Sequence, residues 1–368
     1  MIIGIDGNEA NVEKRVGSNV YAFEIIRNLH ALDKKNTYQI YLKDKPLSDF
    51  PENSSKWQYK KITLRKLSTQ VGLPLQLFFG KPRPDIFFTP GHYAPRFSPI
   101  PTVISILDVS YLLFPKYFRK GDLTQLTSWS VYSIKNASRV LTISEASKKD
   151  IIKFYGVKED TIIVTYPGFT PFKEFQNTNF FPKWKTGEEY CIFVGTLQPR
   201  KNLIRLLEAF QKLNEKNLKL VVVGKKGWLY TEIFNKVKEL KLDDRIVFLD
   251  YVDRSHLYQL FQNAKCFILP SLYEGFGIPV VEAMAAKVPV VVSNVSSLPE
   301  IVGDAGILVD PYSVDDIARG IKEAINLDET TRNSIIEKGL ERTKQFSWEK
   351  AAYKTLAVLE EVYHESNH

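Results

Sequence analysis

Two stretches in the second half of the chain are almost wholly apolar, and they constrain the fold more than any other feature. They read Leu220-Val-Val-Val223 and Val288-Pro-Val-Val-Val292. A strand with one wet face alternates apolar and polar residues, whereas a parallel strand covered by helices on both faces is apolar throughout. The two runs therefore predict a parallel sheet inside an α/β domain.

Strand-like and helix-like segments alternate along the whole chain, which predicts two doubly wound, Rossmann-like domains. In the first half we predict strands at 2–6, 38–42, 86–89, 102–106 and 139–143, with helices at 19–32, 123–135 and 146–155. In the second half we predict strands at 191–195, 218–223, 246–249, 266–269 and 289–293, with helices at 203–213, 230–240, 256–264, 280–286 and 348–363.

A segment rich in Pro, Gly and Asn interrupts this alternation between residues 167 and 187. Such a composition is typical of a linker. A length of 368 residues also suits two hydrophobic cores better than one. We expect one domain over 1–170, a linker over 171–187, a second domain over 188–345 and a last helical segment over 346–368.

The most informative motif is Ser271-Leu-Tyr-Glu274-Gly-Phe-Gly-Ile-Pro279-Val-Val-Glu282. It follows an apolar strand, and its proline suits the first turn of a helix. A helix start attracts anions, and glycines let a ligand approach the backbone closely. We expect Glu274 to meet sugar hydroxyls and Glu282, in the first turn of the helix, to meet ribose. The alternative is a plain turn with a helix-capping acid.

The same segments resemble the retaining glycosyltransferase family 4, which has the GT-B fold, over about residues 1 to 350. Glu274-x7-Glu282 matches the family's Glu-x7-Glu element, and Val194-Gly195-Thr196-Leu-Gln-Pro-Arg200-Lys201-Asn202 resembles its diphosphate-binding loop. A third match begins at Ser297-Leu-Pro299-Glu300. The resemblance implies two domains facing across a cleft, the first (1–170) binding the acceptor and the second (188–345) binding the nucleotide sugar. It also implies a last helix that crosses back to the first domain and an active site at the carboxyl ends of both sheets.

Cationic side chains are the candidates for stabilising the leaving diphosphate. The chain has no Asp-x-Asp pair for a divalent metal, no Gly-x-Gly-x-x-Gly after either first strand and no Walker loop. We therefore expect no cofactor and no metal requirement, with Arg200 and Lys201 as catalytic residues beside Glu274. The alternative for the two cations is a solvated helix start, although positive charge there opposes the helix dipole.

The resemblance also assigns the remaining donor-binding residues. The small loop near the phosphates corresponds to Gly17, although the following Ser18 is an alternative helix cap. The donor-binding set is Gly17, Gly195, Thr196, Gly224, Lys225, Tyr251, Val252, Glu274, Gly275, Phe276, Gly277, Ile278 and Glu282. Because the base would be held largely by backbone groups, these residues leave the nucleotide base open.

The sequence departs from the family pattern at two positions, one in the donor-binding set and one near the expected acceptor-binding residues. Thr196 stands where family members commonly carry Arg, so Arg200 is expected to compensate. Leu107 stands where the family has His, which leaves Asp108 as a catalytic and acceptor-binding candidate or, alternatively, a turn acid. His92 is a second acceptor-binding candidate, with a structural histidine as its alternative.

Charge is shared unevenly between the two halves. Residues 1–184 hold 26 Lys and Arg against 16 Asp and Glu, and residues 185–368 hold 24 against 26. Aromatic residues alternate with cations at 56–66 and 114–120, which indicates either contact with an anionic membrane or a solvated edge strand and loop. No nucleic-acid-binding motif is present. Cys191 and Cys266 lie in apolar runs and are predicted to be core thiols.

The predicted activity is retaining, metal-independent transfer of a hexosyl group from a nucleoside diphosphate sugar. GDP-mannose is favoured over a UDP-sugar because the second half resembles bacterial mannosyltransferases of polysaccharide assembly. The expected acceptor is an oligosaccharide or polyprenyl-linked glycan. With an early acid at Asp6 and no long apolar run, we expect a cytoplasmic protein, peripheral on the plasma membrane. Alternatives are a GT-B epimerase or hydrolase, a glucan synthase and a non-catalytic sugar-nucleotide-binding partner.

Overall fold

The computed structural model describes residues 1–64, 68–91, 93–171 and 188–367. It divides into two compact domains. Domain 1 comprises Met1–Gly168 and Ser347–His368, and domain 2 comprises Phe169–Phe346. The predicted linker over 171–187 lies, apart from its first residue, outside the described residues.

Domain 1 is built on a seven-stranded parallel sheet in the order β3-β2-β1-β4-β5-β6-β7. Its strands are β1 (Ile2–Asp6), β2 (Thr37–Leu42), β3 (Trp57–Lys61), β4 (Ile86–Thr89), β5 (Thr102–Ser105), β6 (Arg139–Thr142) and β7 (Ile162–Val164). Its first helices are α1 (Ser18–Leu32), α2 (Leu73–Phe79), α3 (Ser110–Leu113), α4 (Lys120–Asn136) and α5 (Glu145–Tyr155). Because β1 pairs with both β2 and β4, the strand order reverses between β1 and β4.

Domain 2 is built on a six-stranded parallel sheet in the order β10-β9-β8-β11-β12-β13. Its strands are β8 (Tyr190–Val194), β9 (Lys219–Val223), β10 (Ile246–Leu249), β11 (Phe267–Leu269), β12 (Val290–Ser293) and β13 (Gly306–Val309). Its helices are α6 (Leu203–Lys212), α7 (Thr231–Glu239), α8 (Arg254–Gln262), α9 (Ile278–Ala285), α10 (Leu298–Val302), α11 (Val314–Ile325) and α12 (Glu329–Thr343). Here the strand order reverses between β8 and β11.

The last helix, α13 (Trp348–Ser366), belongs to domain 1, where it packs on α1. The Trp348 ring contacts the Tyr21 ring edge-on, with 6.2 Å between centroids. Farther along α13, Glu361 and Glu365 accept hydrogen bonds from Arg139 at 3.0 and 2.6 Å. Residues from both ends of the sequence thus form one core.

The predicted parallel α/β architecture is confirmed in both halves, but three strands were not predicted. These strands, β3, β7 and β13, are all at a sheet edge. An edge strand is covered on fewer sides, so its sequence need not be continuously apolar. In β3, for example, Trp57 is buried while Lys61 is exposed. The edge-strand alternative for 56–66 therefore describes Trp57–Lys61.

The two cysteines lie side by side inside the domain 2 sheet. Both are buried free thiols, and their Sγ atoms are 3.4 Å apart. The hydrogen bond between them, together with burial, raises the pKa of the Cys191 thiol. The prediction of core thiols is confirmed.

Candidate functional site

The candidate site of domain 2 lies where the strand order reverses, at the carboxyl ends of β8 and β11. This position is the usual ligand-binding point of an open α/β sheet. After β8 the chain makes a short 3₁₀ turn at Pro199–Lys201 and then a left-handed residue, Asn202, with φ 61°. The Asn202 amide donates hydrogen bonds to the carbonyl oxygens of Pro270 and Pro311, at 2.9 and 2.7 Å. These bonds tie the loop after β8 to the loops after β11 and β13.

Three of the predicted catalytic residues meet in this place. Lys201 Nζ lies 2.6 Å from Glu274 Oε1, and Arg200 Nη1 lies 3.3 Å from Glu274 Oε2. Arg200 Nη1 also donates to the Tyr273 carbonyl oxygen. The Ser271 hydroxyl donates to Glu274 Oε1 at 2.6 Å. We call Arg200, Lys201, Ser271 and Glu274 the cation cluster.

Electrostatics keep the Glu274 carboxylate ionised in spite of its burial. Burial would raise its pKa, but the charges of Lys201 and Arg200, with hydrogen bonds from Lys201 and Ser271, outweigh that effect and lower the pKa to about 2. Two cations therefore face one carboxylate, and the cluster carries a net positive charge at neutral pH. Such a cluster attracts an anion.

The Gly-rich turn that follows Glu274 is fixed by two serines. The Glu274 amide donates to Ser296 Oγ, and the Ser297 hydroxyl donates to the carbonyl oxygens of Glu274 and Phe276, all at 2.9 Å. Gly277 caps α9 with φ 108°. A Cβ at this position would lie 2.9 Å from Leu298 Cδ2, so the turn requires glycine.

The residues of this turn are buried or half-buried. The Phe276 ring is buried against Phe346, with 5.2 Å between centroids, so a ligand can meet Phe276 only through its backbone. Gly275 is also buried, whereas Ile278 is half-buried at the first position of α9. The first N–H groups of a helix have no acceptor within the helix. The start of α9 can therefore offer backbone donors to an anion.

Glu282 forms an ion pair that the sequence did not predict. Its Oε1 lies 2.8 Å from Nη1 of Arg254, the first residue of α8, and Arg254 Nη2 donates to the Thr170 carbonyl oxygen. Burial raises the pKa of Glu282, and Arg254 opposes that rise. The prediction that Glu282 lies in the first helical turn is wrong, because α9 begins at Ile278 and places Glu282 in the second turn.

The other predicted donor-binding residues of domain 2 lie at the ends of β8, β9 and β10. Gly224 has φ 152°, and a Cβ there would lie 2.0 Å from the Gly195 carbonyl oxygen, so the loops after β8 and β9 are in close contact. The next residue, Lys225, places its Nζ 5.1 Å from the centre of the exposed Tyr251 ring. Thr196 and Val252 are half-buried beside these loops.

Of the predicted domain 1 residues, Gly17 and Asp108 are described, and His92 lies outside the described residues. Gly17 precedes α1 with φ 53°, and a Cβ there would meet no heavy atom within 4 Å. The Ser18 hydroxyl donates to Glu9 Oε1 at 2.6 Å, so the cap alternative for Ser18 is wrong. Asp108 Oδ1 accepts from the Ser110 amide at 2.9 Å, which is the geometry of a turn acid.

Over residues 1–64, 68–91, 93–171 and 188–367, no three His, Cys, Asp or Glu side chains are grouped closely enough to hold a metal ion. Within the same ranges, every helix is too short or too polar to cross a membrane.

Comparison with known proteins gives matches to both the sequence and the fold. Residues 174–342 match the family described as glycosyl transferases group 1. The O-antigen chain mannosyltransferase B of Escherichia coli is 34% identical over 262 residues, covering 69% of this chain and 68% of the relative. The O-antigen chain mannosyltransferase RfbU of Salmonella typhimurium is 31% identical over 179 residues, covering 49% of this chain and 48% of the relative.

A similarity of fold extends over nearly the whole chain. The sucrose-phosphate synthase of Thermosynechococcus elongatus superposes with a TM-score of 0.77 at 19% identity, covering 99% of both chains. At that identity the superposition shows a shared fold, the GT-B fold predicted from the motifs.

Proposed function

The chain belongs to the group 1 glycosyltransferases, and from that membership we propose that it moves a hexosyl group from a nucleoside diphosphate sugar to an acceptor hydroxyl, with retention of the anomeric configuration. The observation that carries this proposal is the cation cluster. Arg200 and Lys201 reach one buried carboxylate from the end of β8, directly before the turn that opens α9. A departing diphosphate needs a positively charged, preorganised environment of this kind.

The proposed chemistry has three linked changes. The bond between the anomeric carbon and the diphosphate oxygen breaks, and the acceptor oxygen bonds to the same face of that carbon. The acceptor proton passes to an oxygen of the departing phosphate. Positive charge develops on the sugar and negative charge on the phosphate, so Arg200, Lys201 and the N–H groups at Gly277 and Ile278 stabilise the leaving group.

Glu274 has a double role in this proposal. An ionised carboxylate offers about four acceptor positions. Lys201, Ser271 and Arg200 use three of them. The carboxylate therefore holds the two cations in place, and its remaining position is available to a hydroxyl of the donor sugar. Glu282 would bind the ribose, with Arg254 holding its carboxylate in position.

Metal independence is part of the proposal and is supported by the charge of the cluster. Side-chain cations supply, next to the diphosphate, the charge that a divalent ion supplies in metal-dependent transferases. Activity in excess chelator, equal to activity with Mg²⁺, is the expected result. Loss of turnover in chelator, restored by Mg²⁺, would contradict it.

GDP-mannose is the favoured donor, with a UDP-sugar next. The support is the name shared by two relatives, both O-antigen chain mannosyltransferases. The acceptor we propose is an oligosaccharide or polyprenyl-linked glycan in cell-surface polysaccharide synthesis. The observed loops after β9 and β10 present the exposed Tyr251 ring beside Lys225, a surface suited to a nucleotide base and its ribose.

We also propose peripheral contact with an anionic membrane at the cytoplasmic face. The support is the excess of cations in residues 1–184 and the segment around Pro115–Tyr117, where the Phe114 and Tyr117 rings stack at 5.9 Å with Lys116 Nζ 5.1 Å from the Tyr117 ring. Flotation with vesicles containing anionic phospholipid, but not with zwitterionic vesicles, is the expected result. Equal recovery with both would contradict it.

The first test of the donor site is thermal-shift titration with UDP, GDP, ADP and CMP, with and without Mg²⁺. One nucleotide should stabilise the wild type without metal, and Glu282→Gln and Arg254→Gln should each lose much of that shift. Glu239→Gln, whose ion pair with Lys236 is exposed, is the matched control and should keep it. If no nucleotide stabilises the protein, the transferase proposal fails.

Turnover and stereochemistry complete the test. With GDP-mannose and a mannosylated acceptor, proton NMR of the product should show an α-linked sugar from the α-linked donor. Sugar released without acceptor at the same rate would instead indicate a hydrolase or epimerase. An intact sugar–protein adduct detected by mass spectrometry would contradict attack on the same face without a covalent intermediate.

A further inference from the structure

The chain passes between the two domains twice, once from Gly168 to Phe169 and once from Phe346 to Ser347. We call these places the first and the second crossing. On the domain 1 side the two crossings pack directly against each other, because a Cβ at Gly168 would lie 2.0 Å from the backbone nitrogen of Trp348 and 2.7 Å from its Cγ. Any side chain at Gly168 would therefore push the crossings apart.

On the domain 2 side, a single side chain holds the first crossing. The Thr170 carbonyl oxygen accepts a hydrogen bond from Arg254 Nη2, and Nη1 of the same guanidinium lies 2.8 Å from Glu282 Oε1. A guanidinium is planar and holds its N–H donors in a fixed fork. One rigid group therefore fixes the Glu282 carboxylate relative to the backbone of the first crossing.

The helix that carries Arg254 gives no reason for a cation at this place. Arg254 is the first residue of α8, where a positive charge opposes the helix dipole. The cap of α8 is Asp253, whose Oδ1 accepts from the Ser255 and His256 amides at 3.0 and 3.1 Å. The position of Arg254 is therefore explained by its two acceptors and not by the stability of α8.

The Glu282 carboxylate depends on the same guanidinium. Its side chain is only 8% exposed, and Arg254 is the one cation that pairs with it among the residues that the structure describes. A buried carboxylate needs such a partner to stay ionised. Because Arg254 contacts one of the two carboxylate oxygens, acceptor positions remain for ribose hydroxyls.

The second crossing is held in a different way. Phe346, the last residue of domain 2, packs on the Phe276 ring with 5.2 Å between centroids. Both rings are buried, so a nucleotide that meets the backbone of Phe276 does not enter this contact. It is the first crossing, therefore, that a charged group joins to a donor-site side chain.

We propose that Arg254 is a positioning residue that links nucleotide binding at Glu282 to the backbone of the first crossing at Thr170. The inference rests on the proposed transferase function, because it takes Glu282 as the ribose contact. When ribose hydroxyls draw the carboxylate, the rigid guanidinium follows and carries the Thr170 carbonyl with it. Since such coupling is reciprocal, a displaced first crossing pulls Arg254 from Glu282 and weakens nucleotide binding.

Arg254→Lys is the discriminating variant, because it keeps the charge and removes the rigid fork. A lysine ammonium can neutralise Glu282 but cannot hold both acceptors in one plane. Its nucleotide affinity should stay within about threefold of the wild type. Arg254→Gln should bind about tenfold more weakly or worse, the scale of one hydrogen bond to a charged group.

An exposed arginine provides the matched control. Arg319 pairs with Asp316 and Glu323 on the surface of α11. Arg319→Lys makes the same change of side chain far along the sequence from both crossings, and it should behave as the wild type in every measurement.

The experiment follows Trp348 by ¹⁹F NMR in the full chain labelled with 5-fluorotryptophan. The chain has five tryptophans, and the Trp348 resonance is identified by its absence in Trp348→Phe. Because Gly168 packs on Trp348, this resonance reports on the first crossing. Saturation with GDP, or with UDP where UDP is the nucleotide that stabilises the wild type, should shift the resonance in the wild type and in Arg319→Lys but not in Arg254→Lys.

Gly168→Ala tests the link from the other end. Its new Cβ displaces the first crossing and lies on a residue that the donor site does not include. Calorimetric titration should show nucleotide binding weakened by about fivefold or more in the wild-type background, with no further weakening when Arg254→Lys is already present. If Gly168→Ala does not fold, the ¹⁹F experiment decides.

Three outcomes would overturn the inference and leave the transferase proposal intact. They are an equal Trp348 shift in the wild type and Arg254→Lys, no Trp348 shift in a wild type saturated with nucleotide, and equal weakening by Gly168→Ala in both backgrounds. Absence of binding of any nucleoside diphosphate to the wild type would instead refute the transferase proposal itself, so the two failures are distinguishable.

Discussion

The two domains place polar side chains at the same topological position and give them opposite electrostatic character. In domain 2, the ends of β8 and β11 bring Arg200 and Lys201 against one buried carboxylate. In domain 1, the ends of β1 and β4 place the buried side chains of Asp6 and Thr89 beside a cavity that Tyr93 and Trp129 also line. The same reversal of strand order therefore gathers two cations around a carboxylate in domain 2 and holds a carboxylate through the Asn8 side chain in domain 1.

The difference shows that topology selects the place and the loops select the chemistry. The reversal of strand order opens a crevice at the carboxyl ends in either sheet. What enters the crevice depends on a few residues directly after each strand. If this comparison holds, substitutions at the two reversal points should differ in the sign as well as in the size of their effect on stability.

The largest loss of stability and of turnover is expected for a substitution of Lys201. Lys201→Met keeps the length of the side chain but leaves the buried Glu274 carboxylate with Arg200 and the Ser271 hydroxyl. Removing one partner of a buried ion pair typically costs about 3–5 kcal/mol of stability. Loss of one transition-state contact typically lowers kcat by about 10²–10³-fold. Calorimetry and acceptor-dependent turnover would measure both effects.

A surface lysine serves as the control for Lys201. Lys212→Met removes an exposed ion pair with Asp315, and such pairs contribute about 0–1 kcal/mol. Its turnover should match that of the wild type. If Lys201→Met were as active and as stable as Lys212→Met, the cation cluster would have no special role and the contrast between the domains would disappear.

The next effect is the pH dependence that Glu274 imposes. Its pKa of about 2 lies below the ordinary 4.5, so its stabilisation is complete above pH 4.5 and is lost as the pH falls towards 2. A shift of that size corresponds to about 3 kcal/mol. Unfolding of Glu274→Gln followed from pH 7 to pH 2.5 should show a variant that is less stable at pH 7 and that approaches the wild type at low pH. A constant difference at every pH would contradict the ion-pair assignment.

A smaller effect separates the two glycines that precede helices in the two domains. Gly277→Ala and Gly17→Ala both force alanine into positive φ, which costs about 1–3 kcal/mol. At Gly277 the new Cβ would also contact Leu298, whereas at Gly17 it would meet open space. Gly277→Ala should therefore lower the melting temperature more, by a few degrees per kcal/mol. If Gly17→Ala instead lowered the melting temperature more, backbone strain and not the contact with Leu298 would decide the loss of stability.

Much of this arrangement could be predicted from the sequence, because it follows from strand position. Continuous apolar runs locate the central strands, and loops at their carboxyl ends must meet. Arg200, Lys201 and Glu274 were therefore expected at one place, and the structure brings them into contact. Of the unpredicted edge strands, β3 lacks a continuous apolar run, whereas β7 and β13 are apolar but span only three and four residues.

The remaining features depend on three-dimensional contacts that no local pattern contains. Arg254 lies 28 positions from Glu282, and only the tertiary fold brings the two together. The burial of Thr89 Oγ1 without a hydrogen-bond partner among the described residues is likewise a property of the folded surroundings.

The smallest predicted effect has the opposite sign and is the sharpest test of the comparison. Burial raises the pKa of Asp6 above its ordinary value of 3.8, although bonds from Asn8 and the charge of Lys43 oppose that rise. The burial penalty is therefore absent at pH values below 3.8 and develops as the pH rises. Asp6→Asn keeps an oxygen for the two bonds that Asn8 donates to Oδ1, so at pH 8 it should be more stable than the wild type, with little difference at pH 3.5. Paired unfolding measurements at the two pH values would decide. If Asp6→Asn instead lost stability at pH 8, as Glu274→Gln should, Asp6 would be stabilised as an anion, and the electrostatic contrast between the two domains would disappear.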